Sequence, residues 1–112
     1  MKKKTKKKTK AQLAKEAKRA RMKAWKELSA QIRAEVGKCE VCGSTERLNI
    51  HHCLGRKTHP AFMFDRANLI CLCARHHFLL HHGHEWEFAT WLKANKPGQW
   101  AWICDQARKN GF

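Results

Sequence analysis

Two short pairs of cysteine and histidine residues constrain this 112-residue chain more than any other feature. The first pair is Cys39 and Cys42, followed by Gly43, and the second is Cys73 and His76. Two ligands at this spacing on a tight turn can point at one tetrahedral ion, and thiolates with an imidazole suit zinc. A domain of this size buries proportionally little surface, so it often needs a bound metal or a disulfide for stability. The spacing therefore predicts one domain around a structural Zn²⁺ with three cysteine ligands and one histidine ligand.

The six cysteines permit two readings, a secreted disulfide framework or a set of intracellular metal ligands. Residues 1–10 are mostly Lys and Thr and lack the apolar run of a secretory signal. This favours metal ligands in a reducing compartment, and we expect a cytoplasmic protein. No apolar run approaches the roughly 20 residues of a membrane helix, so no membrane partner is expected. Cys71 lies two residues before Cys73, on the same face of a predicted strand, and is its alternative as a zinc ligand.

The formal net charge of +15 is concentrated near the start of the chain, since residues 1–36 contain 14 Lys and Arg but only 3 Asp and Glu. Such a field favours a polyanion as partner. The like charges of residues 1–10, MKKKTKKKTK, repel one another, and the segment has almost no apolar side chain to bury. We therefore expect it to be a disordered basic arm. A localisation signal or a solubility tail would have the same composition. If it is a nucleic-acid-binding arm, the phosphate contacts are made by Lys2, Lys3, Lys4, Lys6, Lys7 and Lys8.

Hydrophobic spacing divides the rest of the chain into a basic helix and a small domain. Residues 11–37 are predicted to form a basic amphipathic helix, because Ala24, Leu28, Ile32 and Val36 recur every four residues and Gly37 can end it. Residues 38–112 are predicted to form the domain, with the zinc knuckles in 38–83 and a helical cover in 84–112. Within it we expect strands over 48–51 and 68–73, a helix over 74–82, and two further helices near 86–95 and 99–109. The predicted fold is α+β, with a zinc-stapled ββα core, a long N-terminal helix and two C-terminal helices.

The predicted helix over 74–82 contains histidines that point in two directions. His77 and His81 are four residues apart and share a face. His76 is turned about 100° away from them and is three residues after Cys73. The two sets can therefore serve two different ions.

His51 and His52 at the end of the first strand, Asn68 at the start of the second and the histidines of this helix follow one another in an order typical of a known motif. The chain from Cys39 to His82 resembles the HNH, or ββα-metal, endonuclease family, in which Cys-x-x-Cys knuckles often bracket the motif. The segment HHFLLHHG at 76–83 is also similar to phage-encoded recombination nucleases. This chain departs from the commonest pattern because His76 stands where the second knuckle usually ends in Cys. The roles of His76 and His77 could therefore be exchanged, although helix spacing favours His77 with His81.

The resemblance implies a role for each matching residue. His51, His77 and His81 would hold one catalytic divalent ion, which could be Mg²⁺, Mn²⁺, Ni²⁺ or Zn²⁺. His52 would be the general base, and Asn68 would orient that base or stiffen the loop behind it. A cation and a neutral imidazole are sufficient chemistry for hydrolysing a phosphodiester.

The predicted function is that of a metal-dependent DNA endonuclease that nicks with low sequence specificity. Three basic residues that flank the motif, Arg56, Lys57 and Arg75, are candidate phosphate contacts, although ordinary solvated charge explains each equally well. One alternative is a non-catalytic zinc protein that binds DNA or RNA. Another is an accessory factor of a recombination or packaging machine, with a recombinase or another phage or host protein as its partner.

Overall fold

The computed structural model describes residues 7–111 and shows an α+β fold. It contains four α-helices and a two-stranded antiparallel sheet. Their bounds are α1 (Lys10–Val36), β1 (Leu48–His52), β2 (Leu69–Cys73), α2 (Ala74–His81), α3 (Glu85–Asn95) and α4 (Pro97–Lys109). The predicted long N-terminal helix, ββα core and two C-terminal helices are confirmed. Four of the candidate phosphate-contacting lysines lie outside the described residues: Lys2, Lys3, Lys4 and Lys6.

Helix α1 begins at a capping box inside the predicted basic arm, so that Thr9 and Lys10 belong to the cap and the first turn of the helix. The Thr9 side chain accepts a hydrogen bond from the backbone of Gln12, and the Gln12 side chain accepts one from the backbone of Thr9. Gly37 ends the helix in the left-handed conformation, with φ of 68°. All residues from 10 to 24 are exposed, so the first half of α1 stands free of the domain.

The sheet is covered by helices on both faces. On one face, Ile50, Leu69 and Cys71 pack against Trp25, Leu28 and Ile32 of α1. On the other face, Ile70 and Leu72 pack against Leu80, Leu92 and Ile103 of the remaining three helices. Every residue of β2 is buried. Because successive side chains of a strand point to opposite faces, neighbouring residues of β1 face different helical layers.

The connection between the strands is more ordered than a plain loop. It contains two short 3₁₀ turns, Pro60–Phe62 and Arg66–Asn68. Asn68 was predicted to begin β2, but it belongs to the second turn and the strand begins at Leu69. Gln99 of α4 donates hydrogen bonds from Nε2 to the carbonyls of Ala67 (2.9 Å) and Leu69 (3.0 Å), on either side of Asn68. The C-terminal cover therefore anchors the end of this connection.

Among the described residues, no helix has both the length and the apolar character needed to cross a membrane.

Candidate functional site

The first cluster is formed by the four predicted zinc ligands. One ligand atom each from Cys39, Cys42, Cys73 and His76 lies within 4.8 Å of the others. The Sγ atoms of Cys42 and Cys73 are 3.8 Å apart, and Nδ1 of His76 is 3.2 Å from Sγ of Cys73 and 3.9 Å from Sγ of Cys39. The first knuckle closes through a hydrogen bond from the Gly43 amide to the Cys39 carbonyl (2.9 Å). This Cys3His cluster can hold a metal ion.

Glu40 fixes the first knuckle to the rest of the domain. One carboxylate oxygen accepts a hydrogen bond from the Cys71 amide (2.7 Å), and the other is 3.1 Å from Nζ of Lys96. Cys71 itself is fully buried against α1 and does not belong to the cluster. Burial raises the pKa of the Cys71 thiol, which keeps it protonated. The geometry therefore selects Cys73 over Cys71.

The second cluster joins β1 to α2. Ligand atoms of His51, His77 and His81 lie within 4.8 Å of one another, and the Nε2 atoms of His77 and His81 are 3.2 Å apart. The ring of His51 is 5.6 Å from each of the other two rings, measured between centroids. The three imidazoles that the resemblance grouped therefore converge in space. His76 and His77 belong to different clusters, which decides between their two possible assignments.

Burial favours the neutral form of two imidazoles in this three-His cluster, those of His51 and His77. Burial, together with the neighbouring His77 and His81, lowers the pKa of His51 to about 3. Burial and His81 also lower the pKa of His77. Both rings are therefore neutral near pH 7 and can offer a lone pair to a cation. His81 is exposed, so the cluster is open to solvent on one side.

His52 lies on the opposite face of the sheet from His51. Its ring centroid is 4.3 Å from that of Trp25 in α1, and its Nε2 atom is 3.0 Å from the Met63 carbonyl oxygen. A carbonyl can only accept, so Nε2 carries the hydrogen and Nδ1 of the neutral ring keeps its lone pair. Burial lowers the pKa of His52, the Met63 carbonyl opposes this, and the nearby Arg56 cation lowers it again. His52 is thus a neutral, oriented imidazole at pH 7.

An open cavity of about 440 Å³ is bordered both by the three-His cluster and by His52. It is lined by His51 and His81 of the three-His cluster, by His52, and by Glu85 and Phe88 of α3 among others. His52 does not contribute to the cluster itself. A molecule in this cavity can nevertheless reach both the cluster and His52.

Asn68, which the resemblance predicted to orient the base or to stiffen the loop behind it, lies beneath that loop. It is fully buried, so it is not accessible to a substrate. Its side chain accepts a hydrogen bond from the Leu54 amide (2.6 Å) and donates to the carbonyls of Leu54 (3.0 Å) and Phe62 (3.1 Å). Of the two roles implied by the resemblance, stiffening the loop fits these contacts. The Phe62 carbonyl that Asn68 holds is followed directly by the Met63 carbonyl that His52 contacts. Asn68 therefore affects the position of His52 only through this stretch of backbone.

The described candidate phosphate contacts do not form one patch. Lys7 and Lys8 precede α1, and Nζ of Lys8 is 2.7 Å from a carboxylate oxygen of Glu16. Arg56 lines a cleft between α1 and β1, whereas Arg75 lies beside the Cys3His cluster. Lys57 is exposed on the loop after β1.

Two residues that support His52, Trp25 and Met63, were not predicted as part of the site. No local pattern indicates that α1 crosses the sheet at His52, so no motif could have identified this contact.

No protein-family model, curated protein or solved structure matches this chain. The resemblance to HNH nucleases therefore rests on the motif residues and their arrangement, and membership of that family stays a prediction.

Proposed function

We propose that this protein is a metal-dependent endonuclease of the HNH type that hydrolyses phosphodiester bonds of DNA. The observation that carries the proposal is the convergence of His51, His77 and His81 at an open cavity that His52 also lines. A cation site beside a neutral imidazole with a free lone pair is the minimum needed for metal-assisted hydrolysis.

We assign structural zinc to the Cys3His cluster. Zinc–sulfur bonds of about 2.3 Å and zinc–nitrogen bonds of about 2.0–2.1 Å give tetrahedron edges of roughly 3.8 Å between two sulfurs and roughly 3.5 Å between sulfur and nitrogen. The corresponding distances are 3.8 Å between Cys42 and Cys73, and 3.2 and 3.9 Å from His76 to its two cysteine neighbours. Four protein ligands would close the coordination shell, which supports a structural role.

We assign the catalytic ion to the three-His cluster. Tetrahedral coordination by two imidazoles places their nitrogens roughly 3.3 Å apart, close to the 3.2 Å between Nε2 of His77 and of His81. Three protein ligands leave positions for water and for a phosphate oxygen. Imidazole ligands suit several divalent ions, so Mg²⁺, Mn²⁺, Ni²⁺ and Zn²⁺ are all candidates.

In the proposed mechanism, His52 removes the proton from the attacking water. When bound, the divalent ion supplies positive charge against the charge that develops on the phosphate and on the leaving oxygen. Nδ1 of His52 forms the new N–H bond as the water O–H bond breaks. The Met63 carbonyl, which accepts from Nε2, then faces the imidazolium that results and stabilises it. Trp25 supports the ring, so both the tautomer and the direction of Nδ1 are fixed before substrate binds.

DNA is the proposed substrate because the charge of the chain suits a long polyanion. The net charge is +15, and the exposed first half of α1 contains six Lys and Arg between residues 10 and 23. Phosphate contacts carry no sequence information, so we expect weak sequence preference and binding that falls steeply with salt. The cytoplasmic location and a recombinase or other phage or host partner stay predictions.

The test is nicking of supercoiled plasmid with each of the four ions, by the wild type and by His52→Ala. We expect His52→Ala to lose about 10²- to 10⁴-fold in rate, the usual contribution of a general base, while its DNA affinity stays within twofold. His82→Ala is the matched control, because His82 is exposed and belongs to neither cluster. Equal nicking by His52→Ala and the wild type would remove the catalytic assignment.

A second candidate function is a zinc-stapled DNA-binding protein without catalysis. It is favoured by the contacts of His52, because stacking on Trp25 and bonding to the Met63 carbonyl are also what a structural histidine does. In that case none of the four ions supports nicking, while binding to DNA persists.

A further inference from the structure

A basic cleft lies between α1 and β1. The cleft there has a volume of about 540 Å³, and we call it the α1–β1 cleft. Its lining includes three cations, two from α1 and one from the loop after β1, together with an aromatic ring and two small polar side chains: Lys26, Arg33, Arg56, Trp25, Ser29 and Asn49. The cleft thus concentrates positive charge against a partly apolar wall.

The cations of this cleft have no acidic partner within the described part of the chain. No carboxylate lies within ion-pair distance of Lys26, Arg33 or Arg56 among residues 7–111. Glu35, on the same helix as Arg33, instead accepts a hydrogen bond from Gln31 (3.2 Å). The charge of the cleft is therefore not neutralised by any acidic side chain among residues 7–111.

Arg33 makes the case for an external anion. Its guanidinium is half-buried, and Nη1 donates to the hydroxyl of Ser29, which is itself buried. A neutral hydroxyl orients the guanidinium but does not balance its charge. Guanidinium groups withdrawn from water are ordinarily paired with an anion, and their planar fork matches the oxygens of a phosphate.

Trp25 connects this cleft to the proposed catalytic base. It lines the cleft, and its ring centroid is 4.3 Å from that of His52. The cleft therefore adjoins His52 on the sheet face opposite the three-His cluster. A DNA strand crossing the end of β1 can pass from the three-His cavity, over His52, to Arg33 and Arg56.

We infer that the α1–β1 cleft binds a backbone phosphate of the cleaved DNA strand, next to the scissile phosphate. Arg33 and Arg56 are the main donors, and Lys26 adds charge at the rim. Helix α1 is then part of the substrate site as well as a support for the sheet. The identity of the strand rests on the proposed function, whereas the affinity for a DNA phosphate does not.

The test is DNA binding by Arg33→Gln, Arg56→Gln and the double variant, measured by fluorescence anisotropy over a range of salt. All proteins also carry His81→Ala, so that the labelled duplex stays intact, and the Cys3His cluster is kept loaded with zinc. Lys93→Gln is the matched control, since it removes the same charge from an exposed residue of α3, across the sheet from α1. Arg33→Lys tests whether charge alone suffices.

We expect each cleft variant to bind about tenfold more weakly than the control and to lower the slope of log K against log salt by about 0.9, the value for one lost phosphate contact. Arg33→Lys should recover part of the affinity, which a merely misfolded Arg33→Gln protein could not explain. Binding by both Arg variants that equals binding by Lys93→Gln, at every salt concentration, would overturn the inference. Because only binding is read, this outcome is separable from a failure of His52→Ala to abolish nicking.

Discussion

The two histidine-containing clusters share helix α2 and differ in how far they are closed. The Cys3His cluster has four ligand residues, two of which, Cys39 and Cys73, are buried. The three-His cluster has three ligand residues, one of which, His81, is exposed at an open cavity. A closed set of four stabilises a fold, whereas an open set of three leaves room for a reacting molecule.

The division between them occurs at two adjacent residues, His76 and His77. Consecutive residues of a helix are about 100° apart, so one faces the knuckles and the other faces β1. One turn of α2 therefore separates the proposed structural site from the proposed catalytic one. Changes to the two clusters should have separable effects, and the predictions below test that separation.

The largest effect is expected from Cys73→Ser. If the Cys3His cluster holds structural zinc as proposed, removing one thiolate removes binding free energy that is also folding free energy, on the order of 10 kcal/mol for small zinc domains. That is comparable with the whole stability of a small domain, so the variant should lack cooperative thermal unfolding and all nicking activity. The measurements are zinc content and circular dichroism against temperature. Cys104→Ser is the control, since Cys104 lies in α4 outside both clusters. A Cys73→Ser protein with the same melting temperature as Cys104→Ser would contradict the structural role.

The next effect is expected from His81→Ala, which should spare the fold. Loss of one of three ligands should lower nicking by at least about 100-fold, because a correctly held ion supplies several kcal/mol of charge stabilisation. In excess zinc, the number of zinc ions bound per chain should fall from two to one. The melting temperature of the variant with one zinc should stay within a few degrees of that of the wild type with one zinc. If His81→Ala instead unfolds the protein as Cys73→Ser does, the two clusters are not functionally distinct.

A smaller effect is expected from Asn68→Ala. The change leaves the Leu54 amide and the Leu54 and Phe62 carbonyls without their buried partner, which costs on the order of 1–3 kcal/mol of stability. The loop that carries Met63 should loosen, so kcat should fall more than KM changes. Urea unfolding and steady-state nicking measure both quantities, and Asn110→Ala, an exposed amide at the end of α4, is the control. A lost rate with unchanged stability would argue instead for direct contact with substrate.

The smallest effect is a pH dependence of stability that belongs to the three-His cluster. The pKa of His51 is about 3 in the fold against 6.5 as its ordinary value, so between these limits the unfolded chain binds a proton that the folded chain does not. Stability should therefore fall as pH falls through this window, by about 1.4 kcal/mol per pH unit. Between pH 7, which lies just above this window, and pH 5.5, urea unfolding of protein with one zinc should show a loss of about 1.3 kcal/mol. His51→Gln should weaken it, and an equal slope in both proteins would exclude His51 as its source.

Local spacing was sufficient to predict the ligand pairs within each cluster, whereas the addition of His51 came from the resemblance to HNH nucleases. The pairs Cys39 and Cys42, Cys73 and His76, and His77 and His81 each lie within one turn of chain, so short-range geometry fixes their relative directions. The α1 helix and its glycine end were predictable for the same reason. The assignment of Cys73 over Cys71 was not, because both lie on one strand, and only the packing of Cys71 against α1 separates them.

The sequence by itself determined that the chain contains a closed Cys3His set, a helical pair of histidines and a basic helix, since these depend on residues close together in the chain. Only the tertiary structure decided that His52 faces α1 and stacks on Trp25, that Asn68 is buried beneath the loop, and that Arg33 and Arg56 meet in a cleft. These relations depend on which helix covers each face of the sheet. That choice is made by the burial of apolar surface across the whole domain, which no local motif records.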